Sequence, residues 1–396
     1  MIELTKEQQK HHDGIIEWAL SKQKSKPWVS LAGLAGTGKT TLLAFLSHTL
    51  FKSGLSKAFC TYTGKASIVL KSKLINYNAL YSSDNISTIH SLIYEPLIEN
   101  DEVVDWNLKS SIPYDIIILD EASMVGKDLW NDLLSFNIPI LVSGDHGQNE
   151  PIGEESFNLV KYPDFELTEI HRQAKDNPII KVAFQARSGH YIKIGKYGKT
   201  VAKIEEGSIQ HRNIFESLTI TDDLIFICGT NKTRINVNRF VRDKLNFSMF
   251  PHPQPGERII CLKNNTKSDI MNGELGTIEE IKILNDDFYE LTLTMEGKEY
   301  SQKCLSLAES FNNQNPSGLY ELLSKPRIKK FISDSTYERV DIFDYGYCIT
   351  CHKAQGSEFN KVILFSERNS YQTDDQWNRW LYTGITRASN KLLIIE

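Results

Sequence analysis

No stretch of the sequence reaches the 18 consecutive apolar residues of a membrane-spanning helix. The opening residues, Met1-Ile2-Glu3-Leu4-Thr5-Lys6-Glu7, also lack the charged-then-apolar order of a secretory signal. Cysteine is scarce, with six in all, and only Cys348 and Cys351 stand at C-x-x-C spacing. Without a second pair there is no four-ligand zinc framework, so reduced structural thiols in a reducing cytoplasm are expected. An excess of positive charge is missing too. The formal net charge of −5 argues against a protein that coats nucleic acid, although a basic groove on an acidic body remains compatible with it. What is present is ordinary for a globular chain, 40% hydrophobic and 24% charged. A length of 396 residues exceeds one ordinary core and predicts two or three domains.

The most informative stretch is Gly33-Leu34-Ala35-Gly36-Thr37-Gly38-Lys39-Thr40-Thr41, which fits the phosphate-binding pattern G-x-x-x-x-G-K-[ST]. Its context fits as well. The apolar run Trp28 to Leu31 leads into it, and Leu42, Leu43, Phe45, Leu46 and Leu50 follow at helical spacing before Gly54. Glycines let the backbone turn tightly, so that several N–H groups and a helix N-terminus converge on one anion. Lys39 is suited to neutralise β and γ phosphates, and the Thr40 hydroxyl to hold Mg²⁺. ATP and Mg²⁺ are the expected ligands, with Gly36, Thr37, Gly38 and Thr41 completing the cradle.

Upstream, Thr5 and Gln8 have the spacing of a helix cap that leads through Ile15, Ile16, Trp18 and Leu20. Gln8 also offers the donor and acceptor pair that reads adenine. Downstream, the strand Lys57 to Thr61 precedes Thr63-Gly64-Lys65-Ala66, and Ser87-Thr88-Ile89-His90-Ser91 forms a second polar cluster. Hydroxyls and a lysine at element ends suit a sugar–phosphate backbone, with helix capping as the plainer use. Tyr114 to Glu121 is a buried-strand run closed by Asp120 and Glu121, one carboxylate for the metal and one for the attacking water. A further strand ends at Asp145, with Gln148 beyond it, whose amide can bridge a γ phosphate and water. Strand–loop–helix units of this kind predict a doubly wound α/β domain. The second half repeats that texture without a phosphate loop, from Leu224 to Cys228, Val362 to Phe365 and Leu392 to Ile395. Short alternating runs from Gly256 to Ser306 predict a small antiparallel barrel inserted in it. The stretch Arg187 to Lys203 interleaves five basic residues with Tyr191 and Tyr197. It reads equally as a single-strand contact or a solvated loop.

Taken in order, these motifs resemble those of superfamily 1 helicases of the 5′→3′ group, the RecD and Dda type, over nearly the whole chain. Gly33 to Thr41 resembles motif I, Thr63 to Ala66 motif Ia, Ser87 to Ser91 motif Ib and Asp120 to Met124 motif II. Gly144-Asp145-x-x-Gln148 resembles motif III, and Leu167 to Arg172 motif IV. Thr350-Cys351-His352-Lys353-Ala354-Gln355-Gly356-Ser357-Glu358-Phe359 has the His-Lys-Ala-Gln-Gly-Ser-Glu form of motif V in the RecD branch, on which the polarity rests. Tyr382 to Ala388 resembles motif VI. Two departures stand out: Tyr62 occupies the usual motif Ia proline, and Asn149-Glu150 precede the single Pro151 of motif III.

The resemblance implies two RecA-like domains. Residues 1–170 would form domain 1A, with 92–113 as an inserted β-hairpin pin, 1B. Residues 171–255 and 345–396 would form 2A, and 256–344 an inserted SH3-like barrel, 2B. Arg172 and Arg387 would reach the transferring phosphoryl group from the second domain, a forked, permanently charged group being suited to that task. Glu358 would contact the ribose or a nearby arginine. Single-stranded DNA would run over Thr63, Lys65, Thr88 and His90 and then over Thr350, His352 and Lys353. Tyr94 or Trp106 would serve the pin. The expected activity is ATP-driven 5′→3′ translocation on single-stranded DNA with separation of duplex at a junction, in replication, recombination or repair. The alternative is a DNA-stimulated ATPase that displaces bound proteins; backbone contacts do not distinguish RNA from DNA. A self-contained monomer in a bacterial or phage-infected cytoplasm is expected, with no membrane contact and with replication or recombination proteins as partners.

Overall fold

The computed structural model describes residues 3–21, 26–99, 102–149, 158–169, 176–263, 270, 272–298, 300–313, 318–323, 325–333 and 340–396. The chain forms two compact units, Met1–Lys181 and Val182–Glu396.

In the first unit, helix α1 (Lys6–Leu20) starts at Thr5. The Thr5 hydroxyl accepts from the Gln8 N–H while the Gln8 side chain accepts from the Thr5 N–H, a reciprocal cap. Strand β1 (Trp28–Gly33), α2 (Lys39–Lys52), β2 (Lys57–Thr61), α3 (Gly64–Asn76), β3 (Asn85–Thr88) and α4 (Ile89–Ile93) follow. A hairpin of β4 (Tyr94–Glu99) and β5 (Glu102–Leu108) comes next, then β6 (Ile116–Asp120), α5 (Lys127–Leu134), β7 (Ile140–Gly144) and β8 (Phe165–Leu167). Six strands form one sheet in the order β3-β2-β6-β7-β1-β8, every pair parallel. The continuous apolar runs of β6 and β7 have the composition of strands covered on both faces. On one face Leu31, Phe59, Ile118 and Leu141 pack with Leu42 and Leu46 of α2 and Leu70 of α3. On the other, Ala58, Ile117, Leu119 and Val142 pack with Ile89 and Trp130. Because the strands are parallel and in register, Gly33, Thr61, Asp120 and Gly144 all arrive at one edge, the carboxyl end where such sheets bind ligands.

The second unit follows α6 (Pro178–Arg187), which spans the division in the chain. It comprises β9 (Gly195–Tyr197), β10 (Val201–Ile204), α7 (Ile209–Ser217), β11 (Leu224–Cys228) and α8 (Asn231–Lys244). Strands β12 (Arg258–Cys261), β13 (Leu275–Ile283), β14 (Phe288–Met295) and β15 (Ser301–Leu307) follow, then α9 (Gly318–Leu323), α10 (Pro326–Ser333) and β16 (Phe343–Tyr345). The chain closes with β17 (Cys348–Thr350), α11 (Cys351–Ala354), β18 (Phe359–Phe365), α12 (Asp374–Ile385) and β19 (Ala388–Ile395). One sheet has the order β17-β11-β18-β19-β10-β9 and is parallel except for the edge strand β9. The other, β15-β14-β13-β12-β16, is antiparallel and falls between α8 and β17 in sequence. An isolated bridge, Ser306 to Asp341, joins the end of β15 to the lead into β16. Two buried ion pairs fasten α8 to this sheet region: Arg234 to Asp344, and Arg242 to Glu257 at 2.7 Å.

The two ends of the basic stretch from Arg187 to Lys203 are held in ion pairs. Arg187 pairs with Asp375 at 2.9 Å, and the buried Lys203 pairs with Glu396 at 2.8 Å under the Tyr191 ring. All six cysteines are free and buried. Burial and the nearby Asp120 carboxylate push the Cys60 thiol far above its ordinary pKa, which leaves it without nucleophilic character.

Candidate active site

The turn between β1 and α2 has the backbone that the glycine pattern predicts. Gly36 and Gly38 lie at φ +83° and +82°, a left-handed conformation that only glycine adopts without strain. A side chain at Gly33 would lie 2.5 Å from the Thr37 hydroxyl and 3.1 Å from Leu167, so the loop can close only over glycine there. The Thr37 hydroxyl donates to the Leu34 carbonyl at 2.8 Å. Lys39 folds its ammonium onto the Gly33 and Leu34 carbonyls at 2.5 and 3.3 Å. Thr40 and Thr41 occupy the first turn of α2, and the Thr41 hydroxyl meets the Tyr77 hydroxyl at 3.0 Å. Gln8, 1% exposed, donates its amide N–H to the Thr37 carbonyl at 3.3 Å. The residue singled out as an adenine reader is therefore also a brace under the phosphate loop.

On the same sheet edge, the Asp120 carboxylate accepts a hydrogen bond from the Ser143 hydroxyl at 2.8 Å. Glu121 follows at φ +54°, a left-handed position that costs a non-glycine residue about 1–2 kcal/mol. Gln148 is 4% exposed and sits on a turn in which its N–H donates to the Asp145 carbonyl at 3.1 Å. The loop with its left-handed glycines, the Thr40 hydroxyl and the braced Asp120 carboxylate together form a donor set that fits a nucleoside triphosphate with Mg²⁺.

The nucleic-acid candidates of this unit are element starts. Thr63 caps α3 by accepting from the Ala66 N–H at 3.3 Å, and Thr88 caps α4 by accepting from the Ser91 N–H at 3.1 Å. Lys65 lies in the first turn of α3. His90 is exposed, with its ring centroid 6.5 Å from Tyr62 and 5.7 Å from Tyr94. Tyr94 begins the hairpin and donates its hydroxyl to Asp132 of α5, so it belongs to the hairpin's base. Trp106, opposite Pro96, is 45% exposed. The hairpin tip at 100–101 and Arg172 lie outside the described residues.

In the second unit, Arg387 follows α12 and is 6% exposed. It donates to the carbonyls of Thr383 and Ser357, both at 3.0 Å, and to the Thr386 hydroxyl at 3.1 Å. This guanidinium thus ties the two closing motifs together, beside the backbone bond that the Phe359 N–H donates to the Arg387 carbonyl at 2.7 Å. Glu358 is exposed beside it in the chain. Thr350 ends β17, and His352 and Lys353 lie in α11. Burial lowers the pKa of both His352 and Lys353. Lys353 donates its ammonium to Asn272 Oδ1 at 2.5 Å, in the turn before β13. A residue expected to face DNA therefore also holds the inserted antiparallel sheet.

Residues 6–208, just over half of the chain, match the AAA domain family, and residues 345–395 match the UvrD-like helicase C-terminal domain. The chain is 26% identical over 387 residues to the ATP-dependent RecD2 DNA helicase of Deinococcus radiodurans, covering 92% of this chain and 46% of that protein. It is 27% identical over 455 residues to the ATP-dependent DNA helicase dda of Enterobacteria phage T4, covering 96% of this chain and 97% of that protein. The chain belongs to the superfamily 1 helicases of the 5′→3′ group. It spans about half the length of the Deinococcus relative and nearly all of the phage one. A solved Pif1 helicase from Bacteroides, in complex with ADP-AlF3 and ssDNA, has the same fold at TM-score 0.54 and 19% identity, covering 100% of this chain and 92% of that one.

Within this helicase family, Tyr62 replaces the usual proline with a ring set edgewise to His90. Three supporting residues, two in the first unit and one in the second, escape sequence reasoning. Glu7 accepts from the Thr168 hydroxyl at 2.6 Å and from the Thr168 and Glu169 N–H groups, both at 3.0 Å. Burial raises its pKa, but these hydrogen bonds outweigh that effect and hold the carboxyl below its ordinary value. Ser143 and Asn272 are the others, each invisible because its partner is remote in sequence. Only Glu7 carried a signal, its place beside Gln8.

Proposed function

We propose that the chain hydrolyses ATP to move 5′→3′ along single-stranded DNA and separates duplex ahead of it. The observation that carries this reading is the shared sheet edge of the phosphate loop, Asp120-Glu121 and Gln148, in a chain that also holds the Arg387-centred motifs. Lys39 neutralises the β and γ phosphates, and Thr40 with Asp120 would hold Mg²⁺, which supplies charge neutralisation on the phosphates. Glu121 accepts a proton from the attacking water, and the Gln148 amide orients that water. Arg172 and Arg387 stabilise charge on the transferring phosphoryl group, Gln8 reads adenine, and Glu358 lies by the ribose. Thr63, Lys65, Thr88 and His90, then Thr350, His352 and Lys353, grip the DNA backbone. Alternation of nucleotide states would shift these grips in turn.

The same proposal assigns 1–170 to domain 1A with 92–113 as the pin, 171–255 and 345–396 to 2A, and 256–344 to an SH3-like barrel. The β4–β5 hairpin supports the pin, with Trp106 a better wedge than the anchored Tyr94. The Ser306–Asp341 bridge supports barrel closure. The chain acts as a cytoplasmic monomer beside replication or recombination proteins.

Partial duplexes with a 5′ or a 3′ single-stranded tail, given ATP and Mg²⁺ beside a Lys39→Ala control, test this reading. Displacement from the 5′-tailed substrate alone is expected. Preference for the 3′ tail would overturn the polarity, and DNA-stimulated ATPase without any displacement would favour a remodeller of bound proteins.

A further inference from the structure

The second unit carries a groove of about 510 Å³ at the amino ends of its parallel strands, the end opposite Thr350. Its origin lies in the sheet register. Lys361-Ile363-Phe365 of β18 and Lys391-Leu393-Ile395 of β19 project on one face, side by side. Ala202-Ile204 of β10 and Leu224-Phe226 of β11 continue that face. Helix α7 and Leu218 cover part of this apolar surface, but α7 ends at Ser217 and buries none of its residues fully. The floor near Ala202 and Leu393 is left partly exposed.

Lysines ring this apolar floor. Lys361 and Lys391 are register partners, an adjacency of like charges that sheets ordinarily avoid. Asp223 offsets Lys361 at 3.0 Å. Lys391, Lys196 of the edge strand and Lys199 of the following turn have no ion-pair partner among the described residues. This local excess of positive charge sits on a chain whose net charge is −5. Among the described residues the lining contains no aromatic ring, whereas single-stranded bases are held by stacking on aromatics. Aliphatic side chains below and unpaired ammonium groups above match a chain that alternates apolar and acidic residues. We infer that this groove docks an acidic segment of a partner protein, anchored by apolar side chains. An occupant there leaves the carboxyl-end motifs of the same sheet uncovered, so the partner can be bound while the motor works.

The test is fluorescence anisotropy of a short fluorescein-labelled peptide alternating aspartate and leucine. Two control peptides replace the aspartates by asparagine or the leucines by serine. The wild-type chain should bind the first peptide, and both controls several-fold more weakly. The combined variant Lys196→Glu, Lys199→Glu, Lys391→Glu should lose about tenfold in affinity, while its melting temperature and oligo-dT-stimulated ATPase stay unchanged. Leu393→Ser, which leaves the rim charges in place, should weaken binding as well. No binding by the wild-type chain, or equal binding by the triple variant, would overturn the inference. Displacement of the peptide by oligo-dT would reassign the groove to nucleic acid. Because the ATPase reading is taken on the same variants, failure of the docking site is distinguishable from failure of the motor.

Discussion

Ser143→Ala isolates how Asp120, the carboxylate proposed to face Mg²⁺, is positioned. The Ser143 hydroxyl is fully buried and lies 2.8 Å from Asp120 Oδ1. A hydrogen bond to a charged acceptor contributes about 1.5–3 kcal/mol. Asp120 is only half-buried, so water replaces part of the lost bond and the lower end applies. About 1.4 kcal/mol corresponds to tenfold in binding, which agrees with the roughly 10–100-fold effect of groups that orient metal ligands. The variant should therefore need about ten times more Mg²⁺ for half-maximal binding of a fluorescent ATP analogue. Turnover at saturating Mg²⁺ should change little, because Asp120 itself remains. Removing one hydroxyl from a packed strand should leave melting nearly unaltered. Asp120→Asn marks the upper limit of the effect in the same titration. A Mg²⁺ curve for Ser143→Ala that overlays the wild type would refute the assignment of Ser143 as a positioning residue.

Asp84→Ala should destabilise the first unit by about 3–5 kcal/mol, since it strands the ammonium of Lys57. Both side chains are fully buried and 2.9 Å apart, and Lys57 also lies over the stacked rings of Phe51 and Tyr81. Calorimetry should show the corresponding transition about 6–20 °C lower, and a shift under a degree would contradict a dry pair. Glu7→Gln should remove a contribution that depends on pH. The native pKa of Glu7 is depressed, so its stabilisation is present above the unfolded value of 4.5 and is lost as pH falls through the lower native value. The melting difference between wild type and variant should accordingly be full near neutrality and shrink below about pH 4.5. A difference that grows in acid would reverse the argument.

The parts of the fold that sequence makes legible are those whose cause is local. The glycines of the phosphate loop encode their own left-handed angles, and Thr5 with Gln8 encodes a cap three residues long in reach. The runs in β2 and β11 have the observed boundaries because every residue in both strands is buried, apolar throughout β11 and from Ala58 to Cys60 of β2, with Lys57 and Thr61 closing the ends of β2. Helix α3 begins at Gly64 because the Thr63 hydroxyl caps its first turn. Legibility fails where a polar residue's role depends on a distant partner. Lys353 reads as a DNA contact, yet its ammonium reaches Asn272, 81 positions away. Arg187 and Lys203 read as a basic stretch, yet Asp375 and Glu396 neutralise them across the second unit.

The sequence by itself therefore determined the chemistry on offer: a loop that cradles phosphates, carboxylates at a strand end, and arginine-bearing motifs in a fixed order. Backbone conformation and the burial of apolar runs follow from neighbouring residues, and so they are written in short windows. Tertiary structure alone decided which hydroxyl steadies Asp120, which carboxylate anchors the segment after β8, and which lysines remain unpaired around an open apolar groove. Those outcomes depend on strands being laid side by side in register, which brings together residues that no window of sequence contains.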